Sequence, residues 1–100
     1  MKHTIIILLK STENWLTQSE GKQNLFFEEE IKPILETLKE KLHVRFFNSE
    51  SFNTRISNYL IIETNSLHDY QDFFDALHQT KVFGDYFTAQ EIIMGVEKNA

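Results

Sequence analysis

Apolar residues follow two spacings along this chain, and each spacing predicts one kind of secondary structure. Alternating or continuous apolar runs are typical of strands, whereas apolar residues three and four positions apart are typical of helices. We therefore expect strands at residues 3–10, 42–48, 55–64 and 86–96, and a first helical segment at residues 20–41. The apolar parity of each strand is expected to face the helices. Alternation predicts a shared face in the second strand for Leu42, Val44 and Phe46, in the third for Ile56, Asn58, Leu60 and Ile62, and in the fourth for Phe87, Ala89, Glu91 and Ile93.

The stretch between Asn58 and Leu77 carries the clearest pattern. A nearly continuous apolar run ends at Asn65-Ser66, and an amphipathic helix follows, ending near residues 78–79. Ser66 is a suitable N-cap because its hydroxyl can accept a hydrogen bond from the first turn, and Asp69 completes an imperfect capping box. The apolar stripe of this helix, which we expect in the core rather than around a cofactor, comprises Tyr70, Phe73, Phe74 and Leu77.

Pro33 lies inside the first helical pattern. Proline removes a backbone donor and clashes with the preceding turn, so we expect a kink or a division near residues 29–32. A helix in two pieces, with Pro33 starting the second, fits the sequence equally well. The inward face of this segment is expected to carry Phe27, Ile31, Ile34, Leu35 and Leu38.

The order strand, helix, strand, strand, helix, strand predicts an α+β fold of the ferredoxin-like βαββαβ type. Its four-stranded antiparallel sheet would carry both helices on one face, in a single domain spanning residues 1–100 with a frayed tail at residues 98–100. The first strand is apolar on both sides, with Ile5 and Ile7 on one and Ile6 and Leu8 on the other. Since continuous apolarity indicates that both faces are covered, we expect a homodimer that packs sheet against sheet as a dimeric α/β barrel.

Composition excludes several classes of protein. The net charge is −5, with 10 Lys and Arg against 15 Asp and Glu, which argues against a nucleic-acid partner. The acidic run at residues 28–30 is interpreted as a solvated helix face. The absence of cysteine excludes disulfide scaffolds, zinc ribbons and cysteine nucleophiles. Three scattered glycines provide no phosphate-binding loop.

The apolar run at residues 5–9 is too short to span a bilayer, and no signal-peptide cleavage site follows it. We therefore expect a cytoplasmic protein with no membrane partner.

Polar residues on the sheet face away from the helices form the first candidate site. In the predicted register His43, Arg45, Tyr59 and Glu63 share one strand parity, and such a group could orient a polar aromatic ligand. The alternative is a structural ion pair at a dimer interface, in which Glu63 satisfies Arg45. Trp15, in the polar connection at residues 11–19, is either a plug at a core edge or the lid of a pocket. The candidate ligand-binding residues are His43, Arg45, Tyr59, Glu63 and Trp15, and no catalytic residue is assigned.

Metal and cofactor binding receive less support from the sequence. His68 and Asp72 are four residues apart on the second helix, a spacing that can bind a cation but that is common on acidic surfaces. A haem site would need a single histidine in a pocket, for which His43 is the one fair candidate. We expect neither a metal nor a cofactor.

Several short segments together resemble the darcynin family, small bacterial proteins without an established activity. The matching segments are Lys2-His3-Thr4-Ile5, Leu8-Leu9-Lys10, Trp15-Leu16, Glu28-Glu29-Glu30-Ile31-Lys32-Pro33-Ile34-Leu35, Arg45-Phe46-Phe47, Ser49-Glu50-Ser51-Phe52, Glu63-Thr64, Leu67, Ala76-Leu77, Phe83-Gly84, Tyr86-Phe87, Ile92-Ile93 and Gly95-Val96-Glu97. The resemblance covers almost the whole chain, although no segment is chemically diagnostic. It implies a dimeric α+β barrel, akin to ferredoxin-like monooxygenases and ethyl tert-butyl ether degradation proteins, and implies no catalytic residues.

Three functions are compatible with these patterns. The first is a homodimer that binds a small apolar or aromatic molecule on the sheet. The second is a cofactor-independent monooxygenase-like or isomerase-like enzyme acting on an aromatic substrate, and the third is a purely structural dimer. An enclosed His43 beside Arg45 would favour the enzyme, whereas an exposed His43 would count against it.

Overall fold

The computed structural model describes residues 1–98 and contains four strands, four α-helices and one π-helical turn in that range. In chain order the elements are β1 (His3–Ser11), α1 (Glu13–Leu16), α2 (Glu20–Phe26), the π turn (Phe27–Ile31), α3 (Lys32–Leu38), β2 (Leu42–Asn48), β3 (Asn58–Thr64), α4 (Leu67–His78) and β4 (Phe87–Val96). The last two residues of the predicted tail lie outside the described range. Within residues 1–98, no helix has the length and apolar character needed to cross a bilayer.

The sheet has the strand order β2-β3-β1-β4, and every neighbouring pair is antiparallel. The central strand β1 pairs Ile7 with Leu60 on one side and with Ile92 on the other. This order is that of the ferredoxin-like fold, so the predicted fold class is confirmed. The helices cover one face of the sheet, and we call the opposite face the open face.

The core lies between the sheet and the helices. Ile5, Ile7, Ile62 and Phe73 are fully buried there, which confirms the inward parity predicted for β3. In β1, where both sides are apolar, the side that carries Ile5 and Ile7 faces the helices. Helix α4 begins as expected, since the Ser66 hydroxyl accepts a hydrogen bond of 3.4 Å from the Asp69 N–H. The stripe predicted for its inner face lies against the sheet, with Tyr70, Phe73 and Leu77 buried and Phe74 half-buried.

The first helical segment is divided where Pro33 predicts a division. Pro33 lies in the first turn of α3, and the π turn immediately precedes it. Because Pro33 cannot donate to the Glu29 carbonyl and its ring crowds that group, a wider turn relieves the clash. The Lys32 N–H donates to the Phe27 carbonyl, five residues back, as in a π-helix.

The strand β3 starts later than expected, at Asn58 rather than at residue 55. The Asn53 side-chain carbonyl accepts hydrogen bonds from the N–H groups of Arg55 (2.7 Å) and Ile56 (3.1 Å). These donors are therefore unavailable to a strand ladder, and a turn forms instead. Ser57 rejoins the sheet, since its N–H donates to the Leu9 carbonyl at 2.9 Å.

The alternation predicted for β4 is wrong beyond its first residues. Leu9 pairs with Ala89 and Leu8 pairs with Glu91, so Gln90 is an extra residue in a bulge. A bulge shifts every later side chain to the opposite face. Glu91 and Ile93, predicted to share a face with Phe87 and Ala89, therefore lie on the open face.

Candidate functional site

The open face brings together four of the five predicted site residues. His43 lies opposite Glu63 in the β2–β3 ladder, and Arg45 lies opposite Ile61 on the same face. Arg45 Nη2 is 3.7 Å from Glu63 Oε1 across the diagonal of the ladder. Lys2 Nζ is nearer, 3.2 Å from Glu63 Oε2, so Glu63 lies between two cations.

Tyr59 and His43 complete this group without enclosing it. The Tyr59 ring stacks on Phe47, with centroids 4.7 Å apart and planes 11° apart. His43 is exposed, and the Arg45 side chain is 49% exposed. This exposure counts against the enzymatic interpretation of His43, and ligand binding by the group stays a prediction.

Trp15, the fifth predicted residue, lies on the other side of the sheet. It belongs to the short helix α1 rather than to an irregular connection, because the Thr12 hydroxyl caps this helix by accepting from the Trp15 N–H at 3.3 Å. The indole packs among three rings, with centroid distances of 5.9 Å to Phe26, 5.1 Å to Tyr86 and 5.0 Å to Phe87. This aromatic cluster closes one end of the core.

Beside the cluster lies a cavity of about 290 Å³ between the helices and the sheet. Trp15 and Phe26 form its helical wall, Leu60 and Phe87 form its floor on the sheet, and Phe83 lies in the loop after α4. Its volume is at the lower end of the range found for small-molecule sites. Of these residues, the sequence singled out Trp15 alone as a candidate site residue, and it settled no face for Phe26.

An aromatic pair borders the cavity. Phe27, in the π turn, meets Phe46 of β2 edge to face with centroids 5.6 Å apart. The two residues are 37% and 43% exposed, although both were predicted to face the core. Phe46 is near the end of the edge strand β2, where the helices no longer cover the sheet completely. The pair therefore stands between the cavity and solvent.

Three neutral amide side chains contribute polar groups to the cavity lining. Gln23 of α2 donates from Nε2 to the Trp15 carbonyl at 3.0 Å, which leaves Oε1 as an acceptor. Asn58 of β3 and Asn24 of α2 also line the cavity. Asn58 could have been noticed from the sequence, since it is a polar residue at the inward parity of β3.

Tyr70 is a core residue with a raised pKa. Burial disfavours the phenolate, so it raises the pKa of Tyr70 above 10.0. Tyr70 does not line the cavity, and its role is in packing α4 against the sheet.

Comparison with known proteins identifies the family. The model of "Darcynin, domain of unknown function" matches residues 2–100. The chain belongs to the darcynin family. A darcynin homolog from Granulibacter bethesdensis is 30% identical over 94 residues, covering 94% of this chain and 76% of the relative. One from Streptomyces avermitilis is 27% identical over 94 residues, covering 94% of this chain and 78% of that protein. Darcynin 1 of Acinetobacter baumannii is 33% identical over 73 residues, covering 72% of this chain and 80% of that protein.

Solved structures share the fold at low sequence identity. Chlorite dismutase from Candidatus Nitrospira defluvii, in complex with imidazole, superposes with a TM-score of 0.83 at 18% identity; the match covers 99% of this chain and 41% of that chain. A haem-binding protein from Thermus thermophilus superposes with a TM-score of 0.80 at 4% identity, covering 93% of this chain and 38% of that chain. The darcynin chain thus spans about two-fifths of each, and the likeness shows the fold alone.

The cavity of this darcynin does not fit haem. Proteins hold haem iron through histidine, cysteine, methionine or tyrosine. Within residues 1–98, no histidine or methionine lines the cavity, and the chain has no cysteine. Tyr59 borders it, but its ring is stacked on Phe47. His43, the histidine considered from sequence, is exposed in β2, and the cavity lining does not include it.

His68 and Asp72 occupy the exposed side of α4. His68 Nε2 lies 3.8 Å from Asp72 Oδ2, and their side chains are 84% and 49% exposed. Among residues 1–98, no group of three or more His, Asp or Glu side chains is arranged to hold a metal ion.

Proposed function

We propose that this darcynin binds a compact apolar or aromatic molecule in the cavity between the helices and the sheet. The observation that carries the proposal is an aromatic cavity of about 290 Å³ with the half-exposed Phe27–Phe46 pair at its border. A filled core would bury these rings, whereas a binding site leaves them available to a ligand.

The size of the cavity sets the expected affinity. Burial of roughly 200 Å² of apolar ligand surface would contribute about 5 kcal/mol at 25 cal/mol per Å². Aromatic contacts add to this term and the loss of ligand freedom subtracts from it. We therefore expect dissociation constants on the order of 10–100 μM for a bicyclic aromatic molecule.

The lining favours binding over acid–base catalysis. Within residues 1–98, no His, Asp, Glu, Lys or Arg side chain lines the cavity, so no ordinary general base faces a ligand there. An isomerase-like activity on an aromatic substrate is accordingly the weaker proposal.

We further propose that the open face is covered by a second copy of the chain. Its centre is apolar, with Ile6, Leu8 and Ile61 half-buried and Ile93 46% exposed. Both charge signs border this centre, which suits a two-fold interface where each patch meets its own copy. The Arg45–Glu63 pair would then lie in or beside the interface.

Calorimetric titration with 1-naphthol tests the ligand proposal. We expect saturable binding at a stoichiometry of one ligand per chain. Asn58→Phe would fill the cavity from the sheet and abolish the heat of binding, while Phe52→Ala, in an exposed loop, would preserve it. The absence of binding by the wild-type protein at millimolar 1-naphthol, or undiminished binding by a folded Asn58→Phe variant, would overturn the proposal.

A further inference from the structure

We infer that the bound molecule carries a neutral hydrogen-bonding group, of the phenol or ketone type, on its aromatic frame. The residues that recognise this group are Gln23 and Asn58. The inference rests on the proposed function and narrows the class of ligand.

The first observation concerns Gln23, on the helical wall. Its Nε2 donates to the backbone carbonyl of Trp15, which ties the carboxamide to helix α1. The half-buried side chain lines the cavity. A carboxamide has two donor hydrogens and an acceptor oxygen, so this contact uses one donor and leaves Oε1 able to accept a hydrogen bond.

The second observation concerns Asn58, on the sheet. Asn58 shares the inward parity of Leu60 and Ile62, both of which are buried. Asparagine is depleted in strands, and an inward position near the core favours an apolar residue. Its presence at the cavity therefore calls for a polar partner.

The Asn58 amide is available for such a partner. Within residues 1–98, the side-chain oxygens of Asn48 and Asn53 accept hydrogen bonds from backbone N–H groups, whereas the Asn58 carboxamide has no such bond. Asn58 is half-buried and lines the cavity. A ligand that excludes water from this position must supply the lost hydrogen bonds or leave the amide unsatisfied.

The uncharged lining of the cavity favours a neutral polar group on the ligand over a charged one. No charged side chain within the described residues lines the cavity. A carboxylate or an ammonium would lose its hydration there without gaining an ion pair. A neutral hydroxyl or carbonyl can instead exchange hydrogen bonds with amides, at little desolvation cost.

Four probes that share one ring system test the inference at neutral pH: naphthalene, 1-naphthol, 1-naphthoate and 1-naphthylmethylammonium. Titration of the wild-type protein should give the highest affinity for 1-naphthol, about tenfold above naphthalene, with both charged probes weaker than naphthalene. This series requires no variant, so its result does not depend on whether a variant folds.

A matched pair of variants assigns the preference to Asn58. Asn58→Leu should bring 1-naphthol and naphthalene within about twofold of each other, because leucine has the same branched side-chain skeleton and no hydrogen-bonding group. Asn48→Leu is the control: Asn48 lies opposite Asn58 in the ladder but does not line the cavity, so the tenfold preference should persist.

The outcomes separate this inference from the proposed function. Equal affinity of wild-type protein for naphthalene and 1-naphthol, or tightest binding of a charged probe, would overturn the inference while leaving an aromatic site in place. A tenfold preference for 1-naphthol over naphthalene that persists in a folded Asn58→Leu variant would also overturn the inference. Failure of all four probes to bind would overturn both the inference and the proposed function.

Discussion

Phe27 and Phe46 meet edge to face across the border of the cavity, with ring centroids 5.6 Å apart. Phe27 belongs to the π turn that precedes Pro33, and Phe46 belongs to the edge strand β2. The π turn beside Pro33 thus carries Phe27, which joins the helical layer to the sheet at the border of the cavity. Widened helical turns of this kind are frequent at functional sites.

Removal of one ring from this pair should weaken ligand binding. Phe46→Ala loses the edge-to-face contact and part of the cavity border, so we expect 1-naphthol affinity to fall about three- to tenfold. Phe52→Ala is the matched control because Phe52 is 89% exposed and does not line the cavity. Calorimetric titration of both variants checks this, and equal affinities would show that the pair does not contact the ligand.

The Arg45–Glu63 pair should contribute little to stability or to binding in the cavity. Arg45 is half-exposed, and its Nη2 is 3.7 Å from Glu63 Oε1. Lys2 forms a second, shorter ion pair with the Glu63 carboxylate. We expect Arg45→Ala to lower the free energy of unfolding by less than about 1 kcal/mol and to leave 1-naphthol affinity unchanged. Urea denaturation and calorimetry measure the two quantities. A large loss of affinity would instead support the ligand site first predicted on the open face.

Ionisation of Tyr70 should lower the free energy of unfolding at alkaline pH. Burial raises the folded-state pKa of Tyr70 above 10.0, so the folded protein retains a proton that the unfolded chain releases. The contribution of protonated Tyr70 to the free energy of unfolding is fully present below the pKa that Tyr70 has in the unfolded chain. It is lost as the pH rises through the pKa that Tyr70 has in the folded protein. Phe at this position cannot ionise, so the loss of stability between about pH 8 and pH 11 should be smaller in Tyr70→Phe than in the wild type. Urea denaturation of both proteins at each pH provides the comparison, and identical losses would refute the role of Tyr70.

A charge at the centre of the open face should prevent self-association. Ile61 lies between Arg45 of β2 and Ile6 of β1, so Ile61→Asp would place an unpaired carboxylate in the proposed interface. Light scattering at micromolar concentration should give twice the chain mass for the wild type and the chain mass for the variant. Asn65→Asp adds the same charge at an exposed position after β3 and should remain dimeric. A monomeric wild-type protein would contradict the proposed interface.

Local patterns predicted much of the fold because their causes lie close together in the sequence. The hydroxyl of Ser66 caps α4 three residues before Asp69, and Pro33 divides the helix in which it lies. The shared face of Arg45 and Glu63 followed from strand parity, which the hairpin register preserved.

Features that depend on contacts between distant parts of the chain could not be predicted from local sequence patterns. The bulge at Gln90 is defined by pairing with β1, some eighty residues earlier, and no local signal distinguishes Gln90 from its neighbours. The cavity arises because Trp15, Phe46 and Phe87 come from separate elements that leave a space between them. Strand parity indicates which side of the sheet a residue such as Phe46 occupies, but it cannot show where packing is incomplete.

A map of backbone amide chemical shifts in labelled protein titrated with 1-naphthol tests most directly whether a ligand binds between the helices and the sheet. Saturable shifts should centre on residues 23–31 and on Asn58, with smaller changes near Phe83, since these segments border the cavity. Residues of the open face such as His43 and Arg45 should change little. Saturable shifts confined to the open face, or no shifts at millimolar ligand, would contradict a binding site between the helices and the sheet.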